Sequence, residues 1–326
     1  MRIITLEEHV TTPEFLKATG QAYENTSQNQ LSGLTRKSLD MGAGRLADMD
    51  ANNISMQVLS LVGAGLDKLA PSTATEVVRA VNDRLAAAVS AHPDRFAAFA
   101  TLNLQEPDKA ARELERSVKE LNLKGAIVAG STKGIFLDDP SFSPILETAN
   151  RLDVPIHVHP GHPPQAVVDA YYSGLPKNIG LALSRSGWGW HVETGLQCLR
   201  LILSGAFDRF PKLKIIVGHL GDHLPYNIAR ADRVFGEKAR ESAEPPFKRG
   251  VIEYFRDNFY ITTSGYFDIA PFKCALEVLG ADHVLFSVDY PHSSNAAGRQ
   301  FLDNIDVSPA DFEKITHLNA ERLLKL

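Results

Sequence analysis

Glu7 and His9 stand two residues apart at the end of the run Ile3-Ile4-Thr5-Leu6. Side chains alternate along a strand, so the carboxylate and the imidazole share one face while Glu8 points the other way. Such a pair can hold a metal ion or move a proton. The same kind of ending recurs. The apolar run 154–159 closes in His157-Val-His159, the run 213–219 leads into Gly218-His219-Leu-Gly-Asp222, and the run 284–288 is followed by Asp289. Four runs thus deliver imidazoles or carboxylates at the same end, which is where enzymes built on parallel strands keep their chemistry.

Glu7, His9, His159 and Asp289 mix nitrogen and oxygen donors. That mixture suits Zn2+ or Mn2+ and fits poorly with Ca2+ or Mg2+, which prefer oxygen alone. His157 shares a face with His159 one pleat deeper, and reads as a packed, hydrogen-bonded histidine. His219 and His223 have the i, i+4 spacing of a helical metal pair, but Gly221 between them argues against a continuous helix face. His219 with Asp222 reads either as a base and its orienting carboxylate or as a structural turn.

The elements that must position these residues follow a regular beat. Strands are predicted at 3–6, 54–62, 96–104, 124–129, 154–159, 213–219, 258–263 and 284–288. Helices are predicted at 44–51, 72–92, 107–121, 142–152, 192–207, near 225–235, at 271–279 and at 309–324. Val77, Val78, Val81, Leu85 and Val89 keep helical spacing in the second of these. Continuously apolar strands have both faces buried, as in a parallel sheet. Eight strand–helix units predict an α/β fold, a (β/α)8 barrel in one domain. Residues 11–48 do not fit the beat and are expected to be an insertion over the barrel mouth.

Composition excludes other classes. The chain has 326 residues, 44% of them hydrophobic, and a net charge of −5 without a basic cluster, so a nucleic-acid partner is not expected. No apolar run is long enough to span a membrane, and Arg2 does not open a signal peptide. Cys198 and Cys274 lack metal or redox spacing and are expected to be buried free thiols in a reducing cytoplasm.

Glu7-x-His9, Val158-His-Pro160, Gly218-His-Leu-Gly-Asp-His-Leu-Pro225, Phe286-Ser-Val-Asp-Tyr-Pro291 and Asn319-Ala-Glu-Arg-Leu323 together resemble the amidohydrolase superfamily. Arg45-Leu-Ala-Asp-Met-Asp50 and Trp190-His-Val-Glu-Thr-Gly195 resemble its decarboxylase branch, and the match runs from the first strand to the last helix. The resemblance implies a (β/α)8 barrel with one divalent metal ion on Glu7, His9, His159 and Asp289. It implies a catalytic His219 beside the metal, with Asp222 where relatives carry a carboxylate. Arg45 and Arg230 match positions that bind substrate carboxylate in some relatives. A second metal would need a bridging ligand, commonly a carboxylated Lys, at the end of the fourth strand, which here closes in Ile127-Val-Ala-Gly130. Glu at position 7, where many relatives have His, favours the hydroxybenzoate decarboxylases. Pro291-His-Ser-Ser294 stands where many of those have an aromatic residue and an acid. The expected activity is therefore metal-dependent, non-oxidative decarboxylation of a small hydroxy-substituted aromatic, or related unsaturated, carboxylic acid by a dimer or tetramer. Asp289 would be the acid that protonates the ring carbon. The alternative is hydrolysis of an amide, ester or lactone at the same single metal.

Overall fold

The computed structural model describes residues 2–20 and 33–326. Its strands are β1 (Ile4–His9), β2 (Met56–Ser60), β3 (Phe96–Ala98), β4 (Ala100–Thr101), β5 (Ala126–Ala129), β6 (Ile156–His159), β7 (Ile215–Val217), β8 (Phe259–Thr262) and β9 (Val284–Leu285). All pair in parallel, β1 through β3 in one set and β4 through β9 in another. The two sets are one wall. The Phe99 N–H still donates to Leu59 on β2, while Ala98 O and the Ala100 N–H already bond to Lys124 and Gly125 beside β5. Segments β3 and β4 are therefore one stave, and the predicted count of eight is met. The ring closes between the last stave and the first. The His9 N–H donates to Tyr290 O at 2.6 Å and the Glu7 N–H to Ser287 Oγ at 2.7 Å. The Glu8 carboxylate accepts from the N–H groups of Val288 at 3.0 Å and Tyr290 at 3.1 Å, so this side chain is a stitch across the seam.

Inside the ring Ile4, Leu6, Val58, Phe99, Ile127, Ile216 and Leu285 pack together, closed at the base by Ala320 and Leu324 of the helix Asn319–Leu324. Strict alternation would put Ile4 and Leu6 opposite Glu7 and His9. The register of β1 against β2 slips between Thr5 and Glu8, a β-bulge that inserts one residue. The bulge turns Glu7 and His9 to the side that Leu6 already occupies, so one short strand contributes both plug and ligands. A second apolar layer, including Val78, Leu85, Leu114 and Ile145, packs the strands against the helices Pro71–Ala91, Pro107–Lys119 and Ser143–Leu152.

Some local expectations are corrected. Between the predicted strand 154–159 and the predicted helix from 192, where the Pro/Gly-rich sequence reads as a loop, lie two helices, Gln165–Tyr171 and Lys177–Ser184, each directly preceded by a proline, Pro164 and Pro176. Proline's fixed φ suits a helix entrance, so these prolines mark starts and not a loop. A further helix, Val251–Asn258, leads into β8, and the predicted terminal helix is broken by a π turn at Lys314–Leu318. Of the expected insertion, the helices Pro13–Ala18 and Gly33–Leu39 are described, and residues 21–32 lie outside the described residues. Both cysteines are free thiols, but only Cys198 is buried; Cys274 is half-buried. No helix among the described residues is long and apolar enough to cross a membrane.

Candidate metal centre

At the C-terminal mouth, β1 and β6 bring Glu7, His9 and His159 together, their ligand atoms within 4.8 Å of one another. His159 Nε2 lies 3.4 Å from Glu7 Oε1. Asp289, just beyond β9, joins from the other side with Oδ1 3.0 Å from His9 Nε2. The two imidazoles meet edge to face with centroids 4.9 Å apart. His157 is fully buried one pleat deeper, with Nε2 3.3 Å from Glu7 Oε2 and its ring edge-on to Phe99.

The donor set fits a divalent ion on two counts. First, each imidazole is held at Nδ1: His159 by the Pro160 carbonyl at 2.7 Å and His9 by Ser60 Oγ at 3.3 Å. The Pro160 carbonyl can only accept, so His159 donates from Nδ1 and carries its lone pair on Nε2; the Ser60 hydroxyl allows the same tautomer in His9, and Nε2 faces the centre in both rings. Second, His9 Nε2 and Glu7 Oε1 are buried and have no hydrogen-bond partner among the described residues. Buried polar atoms are rarely left so, and an ion between them would satisfy both.

Electrostatics agree. Burial pushes His9 down to about 4 and His159 well below its usual range, so both rings are neutral, as a ligand must be. Burial opposes ionisation of Glu7, but His157 and His219 outweigh it and hold the carboxyl well below the usual carboxylate range. Asp289 goes the other way, pushed up to about 7 by burial and by the charge on Glu7. Two carboxyls in one mouth are thereby driven apart, one anionic and one able to carry a proton near neutrality.

His219 stands on an unusual backbone. Residues 219–223 all have positive φ, from 45° at Asp222 to 85° at Gly221. Left-handed conformations are uncommon for residues other than glycine and persist where the surroundings over-determine them. Here the Leu220 N–H donates to Thr262 O at 2.8 Å and the Gly221 N–H to Gly218 O at 2.7 Å. The turn explains why His219 and His223 share no helix face. Asp222 Oδ1 lies 3.5 Å from His219 Nδ1, an electrostatic contact, but only 2.6 Å from His191 Nδ1. His191 was missed as a site residue, although Trp190-His-Val-Glu-Thr-Gly195 pointed at its segment. It lies in the first turn of the helix Gly189–Leu203, and its Nε2 bonds to Ser186 O at 3.0 Å. Burial opposes protonation of His219, but Glu7 and Asp222 outweigh it and push the ring up to about 10.

The structure corrects the expectation for Arg45. Its side chain is fully buried, donating to Asp40 O and His9 O, each at 2.8 Å, to Gln57 Oε1 at 3.1 Å and to Lys37 O at 3.2 Å. Its guanidinium also covers the Tyr290 ring at 4.7 Å. With four of its five N–H donors committed and its side chain fully buried, it ties the helix Ala43–Ala51 to the ligand strand and is not open to a substrate carboxylate. Arg230 is exposed on the helix Leu224–Glu241 and is not brought to the centre within this chain. Arg45→Met should therefore lower the melting temperature markedly, at about 1–3 kcal/mol for each buried carbonyl left unpaired. Arg230→Met should leave it unchanged. Thermal melts of the two variants check this, and an unshifted Arg45→Met would overturn the assignment.

A parallel barrel whose first, fifth, sixth and eighth staves end in Glu, His and Asp around one gap defines a metal-dependent barrel enzyme of the single-ion type. The sequence matches the amidohydrolase family over residues 36–326, and the chain belongs to that family. It is 38% identical over 331 residues to the γ-resorcylate decarboxylase of Polaromonas sp. (strain JS666), covering 99% of this chain and 98% of that one. The crystal structure of 5-carboxyvanillate decarboxylase from Sphingomonas paucimobilis superposes with a TM-score of 0.90 at 32% identity, over 100% of this chain and 99% of that one. A dihydroxybenzoic acid decarboxylase from Polaromonas sp. JS666, with bound manganese and the inhibitor 2-nitroresorcinol, superposes with a TM-score of 0.89 at 36% identity, over 100% and 97%.

Proposed function

We propose that the chain is a metal-dependent, non-oxidative decarboxylase of a small aromatic acid with a hydroxyl ortho to the carboxylate. The observation that carries this is the geometry of the mouth: Glu7, His9 and His159 present ligand atoms within 4.8 Å of one another, with the Asp289 carboxyl 3.0 Å from His9 Nε2. Direct loss of CO2 would leave an electron pair in the ring plane, where the π system cannot take it up. Protonation first avoids this. Asp289 delivers a proton to the ring carbon bearing the carboxylate, and the ring briefly loses aromaticity. The carbon–carboxylate bond then breaks, its electrons restore the ring, and Asp289 is reprotonated from solvent. His219, held protonated by Glu7 and Asp222, steadies negative charge that develops on the substrate. Glu7, His9, His159 and Asp289 would hold one Mn2+ or Zn2+ ion, which when bound supplies Lewis acidity and a charge sink beside the ring.

Metal-reconstituted protein screened against ortho-hydroxybenzoates should release CO2, and elemental analysis should find one ion per chain. Bound metal with hydrolysis of an amide, ester or lactone and no CO2 would favour the hydrolase alternative. A stoichiometry of zero or two in active protein would sink the ligand assignment.

We extend the proposal to a cytoplasmic, single-domain protein with an insertion after its first strand, assembled as a dimer or tetramer. An exposed stripe of Trp188, Val192 and Leu196 at four-residue spacing supports assembly. Light scattering that reads a monomer would exclude it.

A further inference from the structure

We propose that Glu7 binds the ion through Oε1 alone, and that Thr262, Ser264 and Gly218 are positioning residues that impose this. The inference rests on the single-ion reading above and concerns how one ligand is aimed. Thr262 and Ser264 are two residues apart at the end of β8, fully buried, with both hydroxyls facing the Glu7 carboxylate. Thr262 Oγ1 lies 3.1 Å from Oε2, and Ser264 Oγ contacts the same oxygen. The two hydroxyls also touch each other. Two protons serve these three oxygen contacts, so at least one hydroxyl donates to the carboxylate while the other donates to it or to its neighbouring hydroxyl. His157 Nε2 adds a third neighbour to Oε2 at 3.3 Å. Oε1 is left buried without a hydrogen bond, aimed at the gap where His159 Nε2 stands 3.4 Å away.

Space makes the fourth constraint. A Cβ on Gly218, directly after β7, would fall 2.5 Å from Oε2 and 2.9 Å from Oε1. The carboxylate fills room that only glycine leaves at this position. The terminal torsion of a free Glu is broad. Here one oxygen is saturated by neighbours and the other faces the donors of β1 and β6, so the ligand is aimed before any ion arrives. Partners that orient a metal ligand typically change metal affinity 10–100-fold.

The test is calorimetric titration of metal-stripped protein with MnCl2 and ZnCl2, with melts of each stripped variant to confirm folding. Ser264→Ala and Thr262→Val, which remove one hydroxyl each, should weaken binding by about 10–100-fold. Thr262→Ser, which keeps the hydroxyl and drops the methyl, should bind near the wild-type level. Gly218→Ala, which drives the carboxylate out of its place, should bind most weakly. Wild-type affinity in folded Ser264→Ala and Thr262→Val would overturn the inference, as would equal losses in Thr262→Ser and Thr262→Val, since packing alone would then explain both. If Ser264→Ala does not fold, the Thr262 pair still decides. Wild-type protein that takes up no ion would refute the underlying single-ion reading, an outcome the variants cannot mimic.

Discussion

Asp289→Asn should lower kcat for CO2 release by roughly 10²–10⁴-fold, the range for removing a matched general acid. The amide is nearly isosteric and can still offer an oxygen to the ion, while Glu7, His9 and His159 remain in place. Metal content should fall much less than rate. The wild-type pH profile should show the same proton. Burial and the neighbouring Glu7 raise this acid to about 7, so its protonated form is present below that value and is lost as pH rises through it. Charge from the bound ion opposes the rise, so the alkaline limb of kcat reports the balance between the two. Metal-loaded Asp289→Asn turning over at the wild-type rate would remove Asp289 from the proton transfer.

His219→Asn should cost a similar 10²–10⁴-fold in kcat, with metal content and melting temperature little changed. The ring is 10% exposed, faces the mouth and ligates nothing in the donor set described above. Asp222→Asn should cost less in rate, because His219 survives with a weaker charge partner. It should cost more in stability than His219→Asn, because Asp222 is buried and makes its short contact with His191. Measuring kcat, bound metal and melting temperature on both separates three roles. Loss of stability with activity tracking the folded fraction would make the pair a structural turn. Loss of metal on His219→Asn would make that histidine a ligand.

How much of this was legible in the chain follows from what kind of signal each residue leaves. Glu7, His9, His159, His219 and Asp289 interrupt apolar runs at the same end, so both their strands and their common destination could be read. The barrel followed from the same beat. The bulge in β1 could not be read, because it appears only as a slip against β2, fifty residues away. Thr262 and Ser264 look like ordinary strand polar residues until Glu7 is seen beside them. Arg45 was misassigned because an arginine's spacing says nothing about whether backbone carbonyls will surround it. His191 lay within a recognised motif, but its short contact to Asp222 depends on a left-handed turn that no local propensity announces.

The stitch made by Glu8 also bears on how the molecule comes into being. The seam it closes joins residues about 280 positions apart, and Glu7 and Asp289 sit on opposite sides of it. During synthesis the first stave must wait for the last before both its edges are covered, and contacts so distant in sequence are slow to form. The complete donor set therefore does not exist until the ring is shut. Uptake of Mn2+ during refolding should lag behind helix formation and coincide with barrel closure, making the ion a clock for the final step of assembly.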